Sequence, residues 1–352
     1  MSYDRMLKTV NLENSGGFAL NETLCHPSFM KKVTGIDPFD DPLASMLAAV
    51  KKLGFDWVYG IPKYAHKFDK SESKKKIGEG AYLTEWGYTG SGWSEHTSFG
   101  DIEDVLTFDP FTRFQSEEAL RTSIRAGIGN IMEDQALCGD TAVVSGLYYT
   151  MLFQWFILEF GWEMFLVAAA SEPERFELCL ERYTRLSQIF AEEYAASPIP
   201  FFFCHDDLAM TRGLVFAPEW YRKYIFPAYE CIFDPFRKVG KKIVFVSDGN
   251  YSELIDDLFA VGIDGIMVDW TFDLAGLIKK YGGSKLIAGN ADTVVLTFGS
   301  REDVRREALR CLDSARGAPG YVMKCFNDLP QNIPMENIET YFDTIAEYRE
   351  KM

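Results

Sequence analysis

Short apolar runs alternate with longer segments of helical periodicity along most of the chain. Eight runs predict buried strands: Phe18–Leu24, Trp57–Gly60, Ala142–Leu147, Pro200–His205, Lys242–Ser247, Gly265–Val268, Lys285–Ala288 and Tyr321–Phe326. Long helices between short buried strands require crossover connections, which predicts parallel strands. We therefore expect the α/β class and a (β/α)8 TIM barrel with an N-terminal extension.

Two of the helical segments carry recognisable start signals. The first has Ser171 as the expected cap, followed by Pro173 and Glu174 in the first turn. The second begins with Ser300 and has Asp303 three residues later. A serine followed at this spacing by an acidic residue is typical of a helix N-terminus, so helices are predicted after both serines.

Residues 61–110 interrupt the alternation. They are rich in Gly, Ser, Thr and aromatic residues, among them Trp86 and Trp93, and show little helical period. We interpret this segment as a hairpin or lid over the barrel mouth, within one domain that covers residues 1–352. The two tryptophans are predicted to contact a flat or apolar substrate.

Composition and charge narrow the function classes. The formal net charge of −16 disfavours binding to nucleic acid or to an anionic membrane surface. The N-terminus lacks a signal-peptide pattern, and the seven cysteines form no CxxC pair, so we expect a cytoplasmic protein. A small-molecule substrate is the expected partner, and a homodimer is one assembly open to the chain.

Polar residues gather where the predicted strands end, which is where active sites of parallel barrels lie. The candidate catalytic residues are His205, Asp206, Asp207 and Asp248. The candidate substrate-binding residues at the other strand ends are Glu22, His26, Asn250, Asp269, Asn290 and Asn327. We expect these side chains to converge on one cavity.

The chemistry of these candidates leaves several roles open. The carboxylates could hold a metal, position a cation or act as general acid or base, and His205 is a candidate proton carrier. The alternatives are structural: Asp248, Asp269 and Asp292 could each cap a helix, and His205 could simply be satisfied by a neighbouring carboxylate. The chain has no HExxH, GxSxG or GxxxxGK[ST] sequence, which disfavours the commonest hydrolase and nucleotide-binding classes.

Several blocks in the C-terminal part of the chain resemble the uroporphyrinogen decarboxylase superfamily. They are HDDLAMTRGLVFAPEWYRKYIFP from His205, then VSDGN, GIDGIMVDW and KLIAGNAD, and the P-x-E-N of Pro334 to Asn337. The resemblance implies a (β/α)8 barrel and either a tetrapyrrole decarboxylase or a methyltransferase that exchanges methyl groups with a corrinoid on a separate protein. The chain lacks the R-Q-A-G-R-Y type stretch of the decarboxylases, which favours the methyltransferase branch.

The resemblance also bears on metal binding. The thiol-directed methyltransferases of this branch hold zinc through a His-x-Cys strand end and a later Cys. The corresponding positions here are Val246, Asp248 and Asn327, so that ligand set is not preserved. Asp248, Cys325 and His205 are the residues available for an altered site.

The activity implied is transfer of a methyl group between a small-molecule donor and the cobalt of a corrinoid (cobalamin) protein. A methoxylated aromatic compound is the expected donor, as in an O-demethylase of anaerobic metabolism. Two alternatives stay open: a decarboxylase-like lyase acting on a smaller carboxylated substrate, and a barrel that binds a ligand without catalysis.

Overall fold

The computed structural model describes residues 2–61, 74–76, 82–84, 99–148, 151–326 and 328–352. Most of the predicted excursion at 61–110, including Trp86 and Trp93, lies outside the described residues, as does Asn327. The chain divides into a first unit of residues 1–94, 133–143 and 266–352 and a second unit of residues 95–132 and 144–265.

The first unit is built around short buried strands flanked by helices. Four strands run side by side in the order Ala19–Leu20, Tyr321–Met323, Leu286–Ala288 and Gly265–Met267, the last of which belongs to this unit from residue 266 on. Parallel pairs are also formed by Trp57–Val58 with Ala142–Val143 and by Leu24–Cys25 with Leu329–Pro330, and Lys74–Lys76 pairs antiparallel with Tyr82–Thr84. The helices are Ser2–Val10, Pro27–Thr34, Pro42–Leu53, Leu274–Tyr281, Thr293–Phe298, Arg301–Ser314 and Met335–Glu350.

The second unit has three adjacent strands in the order Ile243–Val246, Phe202–His205 and Gly146–Tyr148, all parallel. A small antiparallel hairpin joins Ala209–Met210 to Gly213–Leu214. The helices, counting 3-10 and π turns, are Ile102–Thr107, Pro110–Arg113, Glu117–Cys138, Phe153–Ser171, Pro173–Ala196, Pro218–Trp220, Tyr221–Ile225, Phe226–Val239, Ser252–Leu254 and Ile255–Ala260. Of these, Glu117–Cys138 belongs to this unit only up to residue 132.

Each of the eight predicted apolar runs contains a strand, and the parallel pairing is confirmed. The run Ala142–Leu147 was predicted as one strand and is two. Ala142–Val143 pairs with Trp57–Val58, whereas Gly146–Tyr148 pairs with Phe202–His205. The run therefore changes partner within a few residues, which periodicity alone does not reveal.

The two helix start signals have different outcomes. Ser300 caps Arg301–Ser314 in a complete capping box with Asp303, as predicted. Ser171 does not cap the next helix, because the preceding helix extends to Ser171 and its hydroxyl donates to the carbonyl of Val167. Glu172 is the N-terminal cap residue there, and it makes no side-chain capping bond.

Asp56 ties both ends of the chain to the strands of the first unit. Its buried carboxylate accepts hydrogen bonds from the hydroxyl of Ser2 and the backbone N–H of Leu20, at 2.9 and 2.8 Å. It also forms ion pairs with Arg5 and Arg349, at 3.1 and 2.9 Å. The N-terminal and C-terminal helices are thus held by one fully buried anion.

Within the described part of the chain, one helix, Phe153–Ser171, has the length and apolar composition to cross a membrane. Its backbone is broken at Gly161, where φ is 75° and ψ is 162°, so two shorter helices meet there. Phe153, Phe156 and Phe160 are fully buried within the second unit. These features are typical of a core helix.

Candidate functional site

Three of the predicted catalytic side chains come together in the second unit. Nε2 of His205 lies 2.9 Å from Oδ1 of Asp207 and 4.0 Å from Oδ1 of Asp248. One potential ligand atom from each of the three lies within 4.8 Å of the others. We call these three residues the His-Asp-Asp cluster.

Two neighbouring strands position the cluster. His205 ends the strand Phe202–His205, and Asp248 follows the strand Ile243–Val246, in which Val246 is paired with His205. Both strands are parallel, so their carboxyl ends lie on the same edge and deliver these side chains to one place. The side chain of His205 is 6% exposed, whereas that of Asp248 is 49% exposed, so the cluster is buried on one side and open on the other.

Hydrogen bonds and a close approach between two backbone segments fix the backbone around the cluster. The N–H of Asp248 donates to Oδ1 of Asp207 at 2.7 Å, and the hydroxyl of Ser247 accepts the N–H of Leu208 at 2.9 Å. Gly249 has φ of 75°, and a Cβ there would lie 2.5 Å from the carbonyl carbon and oxygen of Met210. The turn after the strand therefore requires glycine, because both the conformation and the space exclude a side chain.

Asp206 points away from its neighbours His205 and Asp207, as expected from alternation along a strand. Its carboxylate is fully buried and accepts the N–H groups of Phe153 and Gln154 and the hydroxyl of Tyr229. Burial raises the pKa of this carboxyl to about 6 despite these bonds. The geometry thus assigns Asp206 to holding the start of the helix Phe153–Ser171, and does not place it in the cluster.

Asn250, a predicted substrate-binding residue, shapes the turn beside the cluster. Its side-chain oxygen accepts the N–H of Ser252 at 3.1 Å, and its own N–H donates to the carbonyl of Met210. The hairpin Ala209–Met210 with Gly213–Leu214, which we did not predict, is thereby joined to the turn that carries Asp248.

A second group of polar residues surrounds Glu22 in the first unit. The carboxylate of Glu22 is 3% exposed and accepts the N–H of Cys325 at 2.9 Å, the thiol of Cys325 at 3.0 Å and the hydroxyl of Tyr341. Burial raises its pKa to about 7, partly offset by the nearby ammonium of Lys324. Glu22 therefore gains and loses a proton close to neutral pH.

Lys324 and Tyr59 complete this group. Lys324 is 1% exposed, and its ammonium lies 5.4 Å from the centre of the Tyr59 ring. Burial lowers the pKa of Lys324, but the charges of Tyr59, Glu22 and other neighbours outweigh this and raise it. A buried and still charged lysine needs a nearby anion, and Glu22 is suited to supply it.

The remaining predicted binding residues of the first unit have structural partners. Both ring nitrogens of His26 contact backbone groups, Nδ1 accepting from Phe29 N–H and Nε2 lying 2.9 Å from the carbonyl of Ile333. The ring therefore caps the helix Pro27–Thr34. The side-chain amide of Asn290 is buried and donates to the carbonyls of Asp269 and Phe272, while its oxygen accepts from Arg310.

Asp248, Asp269 and Asp292 were each considered as possible helix caps, and this role is confirmed for Asp292 alone. Asp292 caps Thr293–Phe298 by accepting the N–H of Val294. Asp269 accepts the N–H and the hydroxyl of Thr271 and caps no helix, since Leu274–Tyr281 is capped by Asp273. Asp248 belongs to the His-Asp-Asp cluster. That the candidates of the two units share a cavity stays a prediction.

Zinc held in the manner of the thiol-directed methyltransferases does not fit this chain. Val246 offers no donor atom, and the thiol of Cys204 donates to the carbonyl of Val244. Cys325, a predicted alternative ligand, is hydrogen-bonded to Glu22. Among the described residues, the His-Asp-Asp cluster is the one group of three His, Cys, Asp or Glu side chains with suitably close donors, and it has no sulfur.

Some residues of these sites could not be selected from the sequence. Tyr229 and Tyr341 lie within helices and reach Asp206 and Glu22 from distant parts of the chain. Lys324 did carry a signal, because it is a charged residue within the apolar run Tyr321–Phe326. A charge in a buried strand is expensive unless it is paired, so such a residue indicates a polar site.

Comparison with known proteins is consistent with these features. The family model described as Uroporphyrinogen decarboxylase (URO-D) matches residues 160–348, more than half of the chain. The uroporphyrinogen decarboxylase of Carboxydothermus hydrogenoformans is 26% identical over 131 residues, which are 37% of each protein. That of Pelobacter propionicus is 23% identical over 167 residues, 47% of each, so the matches span less than half the length of these relatives.

A solved structure, described as a methyltransferase from Methanosarcina mazei, superposes with a TM-score of 0.68. The alignment covers 99% of this chain and 98% of that one, at 15% sequence identity. At this identity the likeness concerns the fold. The chain therefore belongs to the uroporphyrinogen decarboxylase (URO-D) family, and its fold is the TIM barrel predicted from its apolar runs.

Proposed function

We propose that the protein is a methyltransferase that moves a methyl group between a small-molecule donor and the cobalt of a corrinoid protein. The observation that carries the proposal is the His-Asp-Asp cluster, because it places a proton-bearing group and two carboxylates at an open strand edge. The full-length likeness to a methyltransferase fold supports it. Among the described residues no thiol belongs to the cluster, and a centre of nitrogen and oxygen groups is suited to a donor whose methyl group is attached to oxygen.

The chemistry required at the donor is assistance to its leaving oxygen. When the methyl group passes to cobalt(I), the carbon–oxygen bond breaks and its electron pair stays on oxygen, while the new bond uses the electron pair of cobalt. The oxygen then needs a proton or another positive charge. Nε2 of His205 lies 2.9 Å from Oδ1 of Asp207, an oxygen that also accepts the N–H of Asp248, and in this proposal Nε2 carries the proton for this step.

The two carboxylates give the imidazole a defined orientation. Asp207 holds Nε2 at hydrogen-bond distance, and Asp248 adds a second negative charge 4.0 Å away. Once the ring has given its proton to the leaving oxygen, it must recover one before the next turnover. Solvent can return the proton, because Asp248 is half exposed.

A lyase reaction is the second candidate, since the sequence relatives above are uroporphyrinogen decarboxylases. In a decarboxylation the same aspartates would stabilise a developing cation on a carboxylated substrate. This reaction needs no corrinoid. Release of carbon dioxide in a corrinoid-free assay would therefore favour the lyase over the transferase.

The experiment is a methyl-transfer assay with cob(I)alamin and a panel of methyl donors that includes methoxybenzoates. We expect methylcobalamin to form with at least one O-methyl donor and the demethylated phenol to appear in equal amount. Binding of donors without methyl transfer or carbon dioxide release would support instead a barrel that binds without catalysis.

A further inference from the structure

We propose that the His-Asp-Asp cluster is a binding site for one divalent first-row metal ion of the zinc type. The site would lie at the ends of Phe202–His205 and Ile243–Val246 and use one nitrogen and two carboxylate oxygens. It differs from the family's thiol-directed zinc set, which falls on Val246, Asp248 and Asn327 here. The inference depends on the geometry of the cluster and goes beyond the proposed methyl transfer.

The spacing of the donors fits such an ion. With metal–ligand bonds of about 2.0 Å, adjacent donors of a tetrahedral centre lie about 3.3 Å apart. The observed distances from Nε2 of His205 are 2.9 Å to Asp207 and 4.0 Å to Asp248, on either side of this value. All three donor atoms lie within 4.8 Å of one another, a spread that the ligands would have to narrow around an ion.

The types of donor select the class of ion. Imidazole suits zinc, iron, nickel and copper, whereas magnesium and calcium prefer sites made of oxygen alone. Two carboxylates neutralise the charge of a divalent cation. Binding would replace the proton between Nε2 and Asp207, and that proton would leave to solvent.

The surroundings indicate a catalytic rather than a structural centre. Three protein ligands leave at least one coordination position open, which is characteristic of catalytic zinc. The side chain of Asp248 is 49% exposed, so solvent reaches the site. Gly249 and the hydrogen bond from Asp248 to Asp207 fix the ligands before an ion arrives, which reduces the entropy lost on binding.

The consequence concerns the leaving group of the proposed reaction. An ion at this position would supply the positive charge that stabilises an oxygen leaving group, in place of a proton from His205. A His-Asp-Asp centre has the same net charge as a centre with one histidine and two thiolates, but carboxylate oxygens donate less electron density to the ion, which leaves it a harder Lewis acid. It is therefore suited to an ether or alcohol oxygen rather than to a thiol.

The test measures metal binding without turnover. The full chain is treated with chelator, dialysed and titrated with Zn²⁺ by calorimetry, and its cobalt form is examined by visible absorption. Asp248→Asn is the test variant, since its side chain is half exposed and its backbone hydrogen bond persists. Asp273→Asn is the matched control, because asparagine caps a helix as well as aspartate does.

We expect one Zn²⁺ per chain in the wild type and in Asp273→Asn, and at least about tenfold weaker binding in Asp248→Asn. The cobalt form should show visible d–d bands and lack a thiolate-to-cobalt charge-transfer band. Equal affinity in wild type and Asp248→Asn, no binding at all, or a thiolate band would each overturn the proposal.

The outcome is separable from that of the methyl-transfer assay. Methyl transfer at full rate by a chelator-treated protein that takes up no Zn²⁺ would overturn the metal site and leave the proposed function standing. Binding of one Zn²⁺ per chain without methyl transfer from any donor would support the metal site and contradict the proposed function.

Discussion

The backbone N–H of Asp248 donates a 2.7 Å hydrogen bond to Oδ1 of Asp207, the same oxygen that lies 2.9 Å from Nε2 of His205. The side chain of Asp207 therefore connects the ends of two neighbouring strands. Because the bond comes from the backbone, the position of Asp248 depends on the path of the turn that follows it. Gly249 determines that path.

Gly249→Ala should disrupt the cluster without touching its side chains. The new Cβ would meet Met210 at 2.5 Å and would also adopt an unfavourable positive φ. We expect a loss of unfolding free energy above about 2 kcal/mol and a large fall in methyl transfer, measured by urea denaturation and by the assay above. The control is Gly240→Ala, which has φ of 71° and open space, and should lose only about 1 kcal/mol with unchanged activity. Equal effects of the two substitutions would contradict this role of the turn.

His205→Gln should lower the rate of methyl transfer with little effect on folding. Removing a general acid or a metal ligand typically reduces kcat by about 10² to 10⁴, whereas donor KM should change little. His26→Gln is the matched control, because His26 contacts backbone groups and should affect stability by about 1 kcal/mol rather than kcat. An equal fall in kcat in His26→Gln and His205→Gln would indicate that His26 also acts in the reaction, in line with its predicted role in substrate binding.

The cluster could be predicted from the sequence because its members lie at or just after the ends of continuous apolar runs. The rule that polar residues at the carboxyl ends of parallel strands converge selected His205, Asp207 and Asp248. The same rule selected Asp206, although alternation along the strand turns it to the other side. Side chains alternate between the two faces of a strand, and applying this rule to residues 205–207 would have separated Asp206 from His205 and Asp207.

The partners of the buried carboxylates could not be predicted, because they come from helices far away in sequence. Tyr229 reaches Asp206 and Tyr341 reaches Glu22, and nothing local to either tyrosine marks it as a donor. The role of Asp292, in contrast, could be predicted locally, because it caps the helix Thr293–Phe298 that follows it directly in the sequence. The ends of the strands thus identify where polar side chains lie. Hydrogen-bond donors from distant helices then determine which of these side chains are used for structure and which are left for chemistry.

Glu22 should make stability fall as pH rises toward neutrality. Its pKa is about 7 in the folded protein, above its ordinary value of 4.5, so the folded state binds the extra proton between these pH values. Stability from this group is fully present below pH 4.5 and is lost as pH passes about 7, a difference of about 3 kcal/mol. Glu22→Gln should flatten the dependence of unfolding free energy on pH in this window, whereas the exposed Glu302→Gln should not. Parallel profiles for wild type and Glu22→Gln would refute the assignment.

Asp56 should be among the most sensitive positions for stability. Asp56→Ala leaves Arg5 and Arg349 without their shared anion and removes the acceptor for the Leu20 N–H. Breaking a buried ion pair from one side costs about 3 to 5 kcal/mol, which thermal and urea denaturation would detect. Asp313→Ala removes an exposed pair with Arg316 and should cost less than about 1 kcal/mol. A similarly small effect at Asp56 would show that the two terminal helices are held by other contacts.

The most direct test of the methyltransferase assignment is the formation of methylcobalamin from cob(I)alamin and O-methyl donors by wild type and Asp248→Asn side by side. We predict formation by the wild type, with one phenol released for each methyl group transferred, and a loss of at least about tenfold in Asp248→Asn. No methylcobalamin from any donor, or equal rates in the two proteins, would contradict the assignment of methyl transfer to the His-Asp-Asp cluster.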